Sequence, residues 1–555
     1  MVKNIYKNII PVFATLILVV VSSFFFFRVD LTSDKRYSIA PQTKLLMQRV
    51  TEPMEVTVYL NGNLNPGFLR LRNATVELLE ELAIYANRNI TIRYEDVSLI
   101  ESVGKRQEKF AELQAKGLTP AMLNERDKDG KIVQSIIFPW IVLSYNNRTL
   151  PVNLIKDVYG VSREESLNIS IENLEFEVTD AIRQLILNDV RKIAFIEGHG
   201  ELSEDDTFDI SKTLSKYFQV DRGVLGDDAS VLNPYKAIII AKPTAPFSES
   251  DKYIIDQYIM NGGKVLWLVE GVKIAREELS ATGVSPAIEM DLNLNDMFFR
   301  YGVRINPVLL QDVQSVNIPV NVAPAGESPQ FEPMPWFYAP LLLTSYAHPV
   351  TRNIAEVKAD FCSAVELVGE NAGLSANLLL ATSDNTHVVR TPATIDLNDL
   401  ADVNEPDYFN MGYIPVAVSL EGVFSSAFAN RMQPRGVGNL LPQRSQSVAT
   451  KQIIVADGDI IRNEIAGNEI IPLGFDRYMN RQFGNKDFIC NSVLYLTDED
   501  GWMNLRSRTV TLGLLNKQLI KSKSTVIQTL NIVLPIVVLL VFGFVYQLIR
   551  KRKYT

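Results

Sequence analysis

Cysteine and histidine are scarce in this chain. Cys362 and Cys490 are the only two cysteines among 555 residues, which makes neither a disulfide framework nor a zinc constellation. They can form one bridge or remain two free, buried thiols. The three histidines, His199, His348 and His387, stand far apart with no ligand spacing, so no histidine metal centre is expected. A phosphate loop is also missing. The nearest string, Asn261-Gly262-Gly263-Lys264-Val265, has neither the spacing nor the Ser/Thr, so the chain is not expected to hydrolyse ATP. There is no G-x-S-x-G elbow and no H-E-x-x-H pair, and no cofactor is implied. Positive charge is in deficit. A net charge of −9 argues against a nucleic-acid partner, which calls for a basic face.

Apolar residues are plentiful, and two runs are free of charge. The first, Ile9–Phe27, is preceded by Lys3 and Lys7 and followed by Arg28. It is long and ends in Phe24–Phe27 without a small-x-small cleavage site. That favours an uncleaved anchor over a removable signal peptide. The second, Thr525–Ile549, is long enough to cross ~30 Å of hydrocarbon. Pro535 inside it is tolerated in a membrane helix, and Arg550–Lys553 follow at once. Two spans put both termini on one side, and the terminal basic cluster places that side in the cytoplasm. The body then faces the periplasm from the inner membrane, with membrane lipid as its first partner.

Between the spans the expected class is α/β. Residues 1–8 form the cytoplasmic N-terminus, 9–27 the first span and 28–188 a small α/β domain. A flavodoxin-like parallel-sheet domain takes 189–274 and 451–500, with a β-rich insertion at 275–450. A juxtamembrane linker (501–524), the second span (525–549) and a cytoplasmic tail (550–555) complete the chain. In the small domain, strands are expected at Glu55–Leu60, Ile90–Val97, Ser135–Tyr145 and Arg148–Asn153. Helices are expected from Pro41, over Phe68–Asn87 and over Ser170–Leu187, with a charged surface helix and loop over Lys105–Lys131. In the next domain Lys192–Ile196, Ala237–Ala241, Lys264–Val269 and Ile453–Ala456 are continuous apolar strands. They alternate with helices at Asp206–Tyr217, Ser248–Met260 and Asp487–Leu496, the pattern of a parallel sheet buried on both faces. Asn430–Ser447 reads as a mobile loop.

Ligands of open α/β sheets sit at the carboxyl ends of strands. Two motifs lie there. Glu197-Gly198-His199-Gly200-Glu201 follows the first strand: its glycines permit close backbone approach and its carboxylates suit binding, or the whole is a tight turn with His199 packed inside. Asp457-Gly458-Asp459 follows the Ile453 strand: paired Asp can hold a cation, although Asp-Gly-Asp is more often a turn.

These residues together resemble the gliding-motility-associated ABC-transporter auxiliary family, the GldG-like proteins of Bacteroidetes. The resemblance rests on Asp30-Leu-Thr-Ser-Asp-Lys-Arg-Tyr37-Ser, on Val56–Leu60 with Gly67-Phe-Leu-Arg-Leu, and on Phe195-Ile-Glu-Gly-His-Gly-Glu201. Ile454-Val-Ala-Asp-Gly-Asp459 and Gly484-Asn-Lys-Asp-Phe488 with Asn491 extend it over nearly the whole chain. It implies a non-enzymatic, substrate-binding-type subunit beside a separate permease and a separate ATPase. It also implies a central domain similar to glutamine amidotransferases. Their catalytic Cys would follow a sheet strand; here Glu270-Gly271 stands there, so amidotransferase activity is not expected. The competing readings are an envelope enzyme using the strand-end carboxylates and a structural envelope scaffold.

Overall fold

The computed structural model describes residues 38–554 except 63, 101, 127–131, 157–161, 187–190, 322, 324–327, 370–372, 398–406, 439–441, 468 and 508–521. The expected first span at 9–27 lies outside the described residues. Residues 39–508 pack as one unit.

The unit begins with α1 (Pro41–Met47), β1 (Met54–Val58), α2 (Pro66–Tyr85), β2 (Ile90–Tyr94), β3 (Trp140–Tyr145), β4 (Arg148–Asn153) and α3 (Arg163–Ile186). The sheet runs β2-β1-β3-β4, with β1 parallel to β2 and antiparallel to β3. Strand β1 buries every second residue, Met54, Val56 and Val58, as the period of a strand dictates. Those side chains pack on Phe68, Leu71, Leu79 and Leu82 of α2 and Leu174, Val178 and Ile182 of α3. The expected single strand at Ser135–Tyr145 is two strands, Ile132–Ile137 and Trp140–Tyr145. Pro139 lies between them and has no N–H to give a ladder. The loop expected before Lys131 contains a strand, Ala121–Arg126, paired antiparallel with Ile132–Ile137.

After α3 come β5 (Lys192–Glu197), α4 (Phe208–Leu214), β6 (Gln219–Val224), β7 (Tyr235–Ala241), α5 (Glu249–Met260) and β8 (Val265–Leu268). Further on are α6 (Arg276–Thr282), β9 (Ser315–Asn321), β10 (Phe331–Thr344), β11 (Leu374–Ala381), β12 (Pro415–Gly422), β13 (Thr450–Val455) and α7 (Asn485–Leu496). The parallel strands lie in the order β6-β5-β7-β8-β13. Counted along the chain, that order is 2-1-3-4-5. Both faces are buried: Ile193, Phe195, Ile239 and Leu266 point into one core, and Ala194, Ile196, Ile240 and Trp267 into the other. Strand β6 was not expected. It is an edge strand whose Gln219-Val-Asp-Arg-Gly-Val224 is largely half-exposed, so it carries no apolar run.

The 275–450 segment is β-rich; β9 to β12 extend the main sheet, and other strands form separate two- and three-stranded sheets. Strand β12 pairs antiparallel with β13, and β11, β10 and β9 follow outward. Helix α5 begins where Ser248 Oγ accepts the Asp251 N–H and closes before Gly262, which has φ +94°.

Helix α3 is buried on two sides. Phe176 belongs to the core of the large sheet, while Leu174 and Val178 belong to the core of the small one. Residues near both ends of the unit fasten to it. Glu175 Oε1 accepts from the Ala40 N–H and the Thr43 hydroxyl, each at 2.7 Å. One residue on, Phe176 stacks on Trp502 with ring centroids 4.3 Å apart, and Arg183 lies over the same indole.

A separate helix, α8 (Ser524–Tyr554), ends the described chain. Its segment Ser524–Arg552 is long and apolar enough to cross a membrane. Leu539, Leu540 and Phe542 are each at least 69% exposed, a surface that water does not tolerate and lipid does.

Candidate functional site

Each apolar parallel strand stops at a charged residue, and three of these stops converge. Strand β7 ends at Ala241 and is followed by Lys242. Strand β8 runs through Val269 to Glu270. Strand β13 runs through Ala456 to Asp457-Gly458-Asp459. Because β7, β8 and β13 are neighbours in register, their carboxyl ends lie side by side.

The turn after β13 organises the cluster. Asp457 Oδ1 accepts the Asp459 N–H at 2.7 Å, and its Oδ2 accepts the Asp360 N–H at 2.8 Å. Glu270 Oε1 accepts the Gly458 N–H at 3.1 Å. Gly458 is needed for close approach: a Cβ there would lie 2.5 Å from Lys242 Cβ and 2.9 Å from its Cα. Lys242 Nζ sits 3.4 Å from Glu270 Oε1 and pairs closely with Asp459 Oδ2. Arg276, at the start of α6, pairs with the same Asp459 oxygen and holds Asp360 Oδ2 at 2.6 Å. Arg462 Nη1 stands 3.7 Å from Asp459 Oδ1.

The protonation of this cluster follows from its burial. Removal from water, only partly offset by Lys242, pushes Glu270 up to about 7. Burial, then the Glu270 and Asp459 charges, pushes Asp457 well above the carboxylate range, although the Asp360 N–H acts the other way. Burial works on Asp459 too, but Arg276 and Lys242 outweigh it and hold its carboxyl below the usual value. Burial alone would lower Lys242; Glu270 and Asp459 raise it instead.

Oxygens of Glu270, Asp457 and Asp459 lie within 4.8 Å of one another, a spacing that suits a metal ion. The chain supplies its own cation there, since the Lys242 ammonium already lies against two of the three carboxylates. On this donor set the cluster is a buried ion network rather than a vacant metal cage.

The Glu197–Glu201 motif forms a different corner. His199 Nδ1 is 3.0 Å from Glu201 Oε1, its Nε2 is 3.2 Å from Asp251 Oδ2, and its ring stacks on Phe247 at 3.7 Å. With a carboxylate at each nitrogen the imidazolium is favoured. Burial opposes it, but the hydrogen bonds its ring nitrogens donate to Glu201 and Asp251 prevail and the pKa is raised. The His199 carbonyl accepts the N–H groups of Thr244 and Ala245, both at 2.8 Å. Gly198 and Gly200 have φ of +116° and +74°, and a Cβ on Gly200 would lie 2.2 Å from Thr244 Oγ1. Glu197 leaves the corner to pair with Arg222 at 2.8 Å. The motif therefore fills the crevice beside β5 with its own side chains. No hydrogen bond or ion pair among the described residues joins His199 or Glu201 to Asp457; the Lys242–Thr244 loop runs from one cluster to the other.

Lys242, Glu270, Arg276 and Asp360 are the site residues missed from the sequence. The signal available was the first polar residue after each apolar strand, which picks out Glu197, Lys242, Glu270 and Asp457 alike. Both cysteines are free and buried. Burial pushes the Cys362 thiol well up and the Cys490 thiol up to about 12, so neither is a ready nucleophile.

Beside the ion network opens a cleft of about 620 Å³. Asp459, Arg276 and Asp360 form part of its wall, and Trp336 and Phe361 another part.

The described chain thus combines an α/β body, carrying a strand-end ion network and a cleft, with an apolar helix long enough to cross a membrane. Residues 190–492 match the family described as an ABC-type uncharacterized transport system, and the chain belongs to that family. Residues 33–144 match a domain of unknown function, DUF7088. An uncharacterized protein of Borreliella burgdorferi (strain ATCC 35210 / DSM 4680 / CIP 102532 / B31) is 22% identical over 544 residues, covering 95% of this chain and 94% of that protein. Among solved structures, the mmIFT52 N-terminal domain aligns with 56% of this chain and 98% of its own at 14% identity, with a TM-score of 0.32.

Proposed function

We propose that this chain is a membrane-anchored, non-ATPase auxiliary subunit of an ABC transporter, of the substrate-binding type and related to gliding-motility systems. The observation that carries the reading is the family match over 190–492, which spans every strand of the large sheet and the whole ion network. Helix α8 supplies an anchor, and the apolar run Ile9–Phe27 a second one. Both termini are then cytoplasmic, and the body faces the periplasm from the inner membrane. A permease and an ATPase are separate chains. The 2-1-3-4-5 strand order is that of flavodoxin-type doubly wound sheets, and we read 189–274 with 451–500 as such a domain carrying 275–450 as an elaboration.

The network argues for a binding or structural role over catalysis. Asp457 and Glu270 are shielded, and the cations beside them are already paired. Two experiments test the reading. The purified full chain should hydrolyse no ATP, since it has no phosphate loop. A periplasm-dependent reporter inserted near Ser445 should be active and one fused after Thr555 silent. ATP turnover by the chain alone, or the reverse reporter pattern, contradicts it.

A further inference from the structure

We propose that Glu270 is a proton switch: gaining or losing one proton at this carboxyl changes how Lys242 divides itself between two acids and, through Asp459 and Arg276, how firmly the wall of the cleft is held. The geometry starts from a count. Four carboxylates, Glu270, Asp457, Asp459 and Asp360, surround two cations, Lys242 and Arg276. The next cation, Arg462, stands 3.7 Å from Asp459 and nearer, at 3.2 Å, to Asp206. Glu270 is 5% exposed and Asp457 is fully buried, so uncompensated charge on them is costly. Two of the four carboxyls therefore hold protons. Asp457, raised well above the carboxylate range, keeps its own near neutrality. Glu270, which stands at about 7, is the one that titrates there.

Three features of the geometry single out Glu270. Its Oε1 accepts the Gly458 N–H and faces Lys242, while its buried Oε2 has no hydrogen-bond partner among the described residues. A bare oxygen is where a carboxyl carries its proton. Second, a crevice of about 20 Å³, room for one water, is lined by Glu270, Glu289 and Asn295 and gives the proton a way in. Third, Lys242 Nζ pairs more closely with Asp459 Oδ2 than with Glu270 Oε1, the arrangement expected while Glu270 is neutral. The other titratable groups facing Glu270 are Asp457 and Asp459 after β13, Arg276 on α6 and the Cys362 thiol, which burial keeps neutral. Once ionised, Glu270 competes with Asp459 for the one ammonium. Asp459 then draws harder on Arg276, at the expense of Asp360. All three of these residues line the cleft, and Arg276 opens α6. A carboxyl raised in the folded state supports the network at low pH, and that support is lost as pH climbs through the raised value. The cleft wall is thus firm at pH 6 and looser at pH 8.

The test is hydrogen exchange of the full chain in lipid nanodiscs at pH 6 and pH 8, read by mass spectrometry and corrected for the intrinsic effect of pH on amide exchange. Peptides covering 272–282 and 357–361 should exchange about fivefold faster at pH 8, within what one proton can supply. Peptides from β1 and α2, in the small domain, should not change. Glu270→Gln keeps the shape of the neutral carboxyl and should hold the wall at its pH 6 rate at both pH values, whereas Glu289→Gln should leave the pH dependence in place. The proposal is overturned if the two segments exchange alike at both pH values, if the dependence survives Glu270→Gln or disappears in Glu289→Gln, or if β1 and α2 change as much as the cleft wall, the mark of a global loss of stability. A second readout needs no variant. The infrared difference between pH 6 and pH 8 should show the loss of a protonated-carboxyl band, and heavy-carbon labelling of glutamate should move that band. A band that is absent, or that the label does not move, overturns the proposal as well.

Discussion

Replacing Lys242 by Met keeps the length of the side chain and removes its charge. In the native network the ammonium faces Glu270 and Asp459 in a setting where both carboxylates are nearly closed off from water. Removing one partner of a buried pair typically costs about 3–5 kcal/mol, because the other charge stays behind unpaired. Glu270 offers partial relief. It stands at about 7 with Lys242 present, and without that cation its pKa rises further, so it takes up a proton near neutrality. A carboxyl raised in the folded state contributes stability at low pH and loses it as pH climbs through the raised value. Wild-type Glu270, at about 7, itself gives up about 1.4 kcal/mol between pH 6 and pH 8, half of what one proton can contribute over that range, so the variant should be about 1 kcal/mol worse off relative to wild type at pH 8 than at pH 6. Urea unfolding of the full chain in mild detergent, followed by tryptophan fluorescence, reads this; buried Trp267 lies on β8, two residues before Val269. Adding Glu270→Gln should restore part of the loss and flatten the pH dependence. A Lys242→Met loss under about 1 kcal/mol, equal at both pH values, would refute the argument that the network is an interdependent buried unit.

The other strand-end corner and the α3 junction give further expectations. Gly200→Ala places a Cβ against Thr244 at a positive φ and should cost about 1–2 kcal/mol in a thermal or urea melt. His199, raised above its ordinary value near 6.5 by Glu201 and Asp251, lends stability that is complete below that value and lost as pH rises through the raised one; His199→Gln should remove that slope from a melting-temperature profile over pH 6–8. Trp502→Ala removes the stack on Phe176 and should cost about 3–5 kcal/mol, with earlier proteolysis near the end of the unit. Cys362 and Cys490 should resist thiol reagents in the native state and react on unfolding.

The central parallel strands were legible because burial on both faces writes a continuous apolar run. Ala237–Ala241 and Val265–Leu268 show this plainly. Strand β6 was not, since an edge strand with Asp221 and Arg222 has no such run. The segment 275–450 could be read as β-rich, but not as a continuation of the main sheet. Antiparallel addition of β12 to β13 depends on pairing partners that local pattern does not encode. The site was half legible for the same reason. Asp457 and Asp459 announce themselves as a pair after a strand. Lys242, Glu270, Arg276 and Asp360 are distant in sequence and meet only when strand ends align. His199 could be read either as part of a binding motif or as packed inside a tight turn; only the fold shows Phe247, before α5, and Asp251, in its first turn, closing on the ring.

Affinity purification of the full chain in mild detergent tests the account most directly. The account predicts that a multi-span permease and a chain bearing a phosphate loop co-elute with it in fixed ratio, and that the eluate hydrolyses ATP while the chain alone does not. A full chain that elutes alone from native membranes, with no ATP-hydrolysing partner under conditions that preserve other membrane complexes, would contradict it.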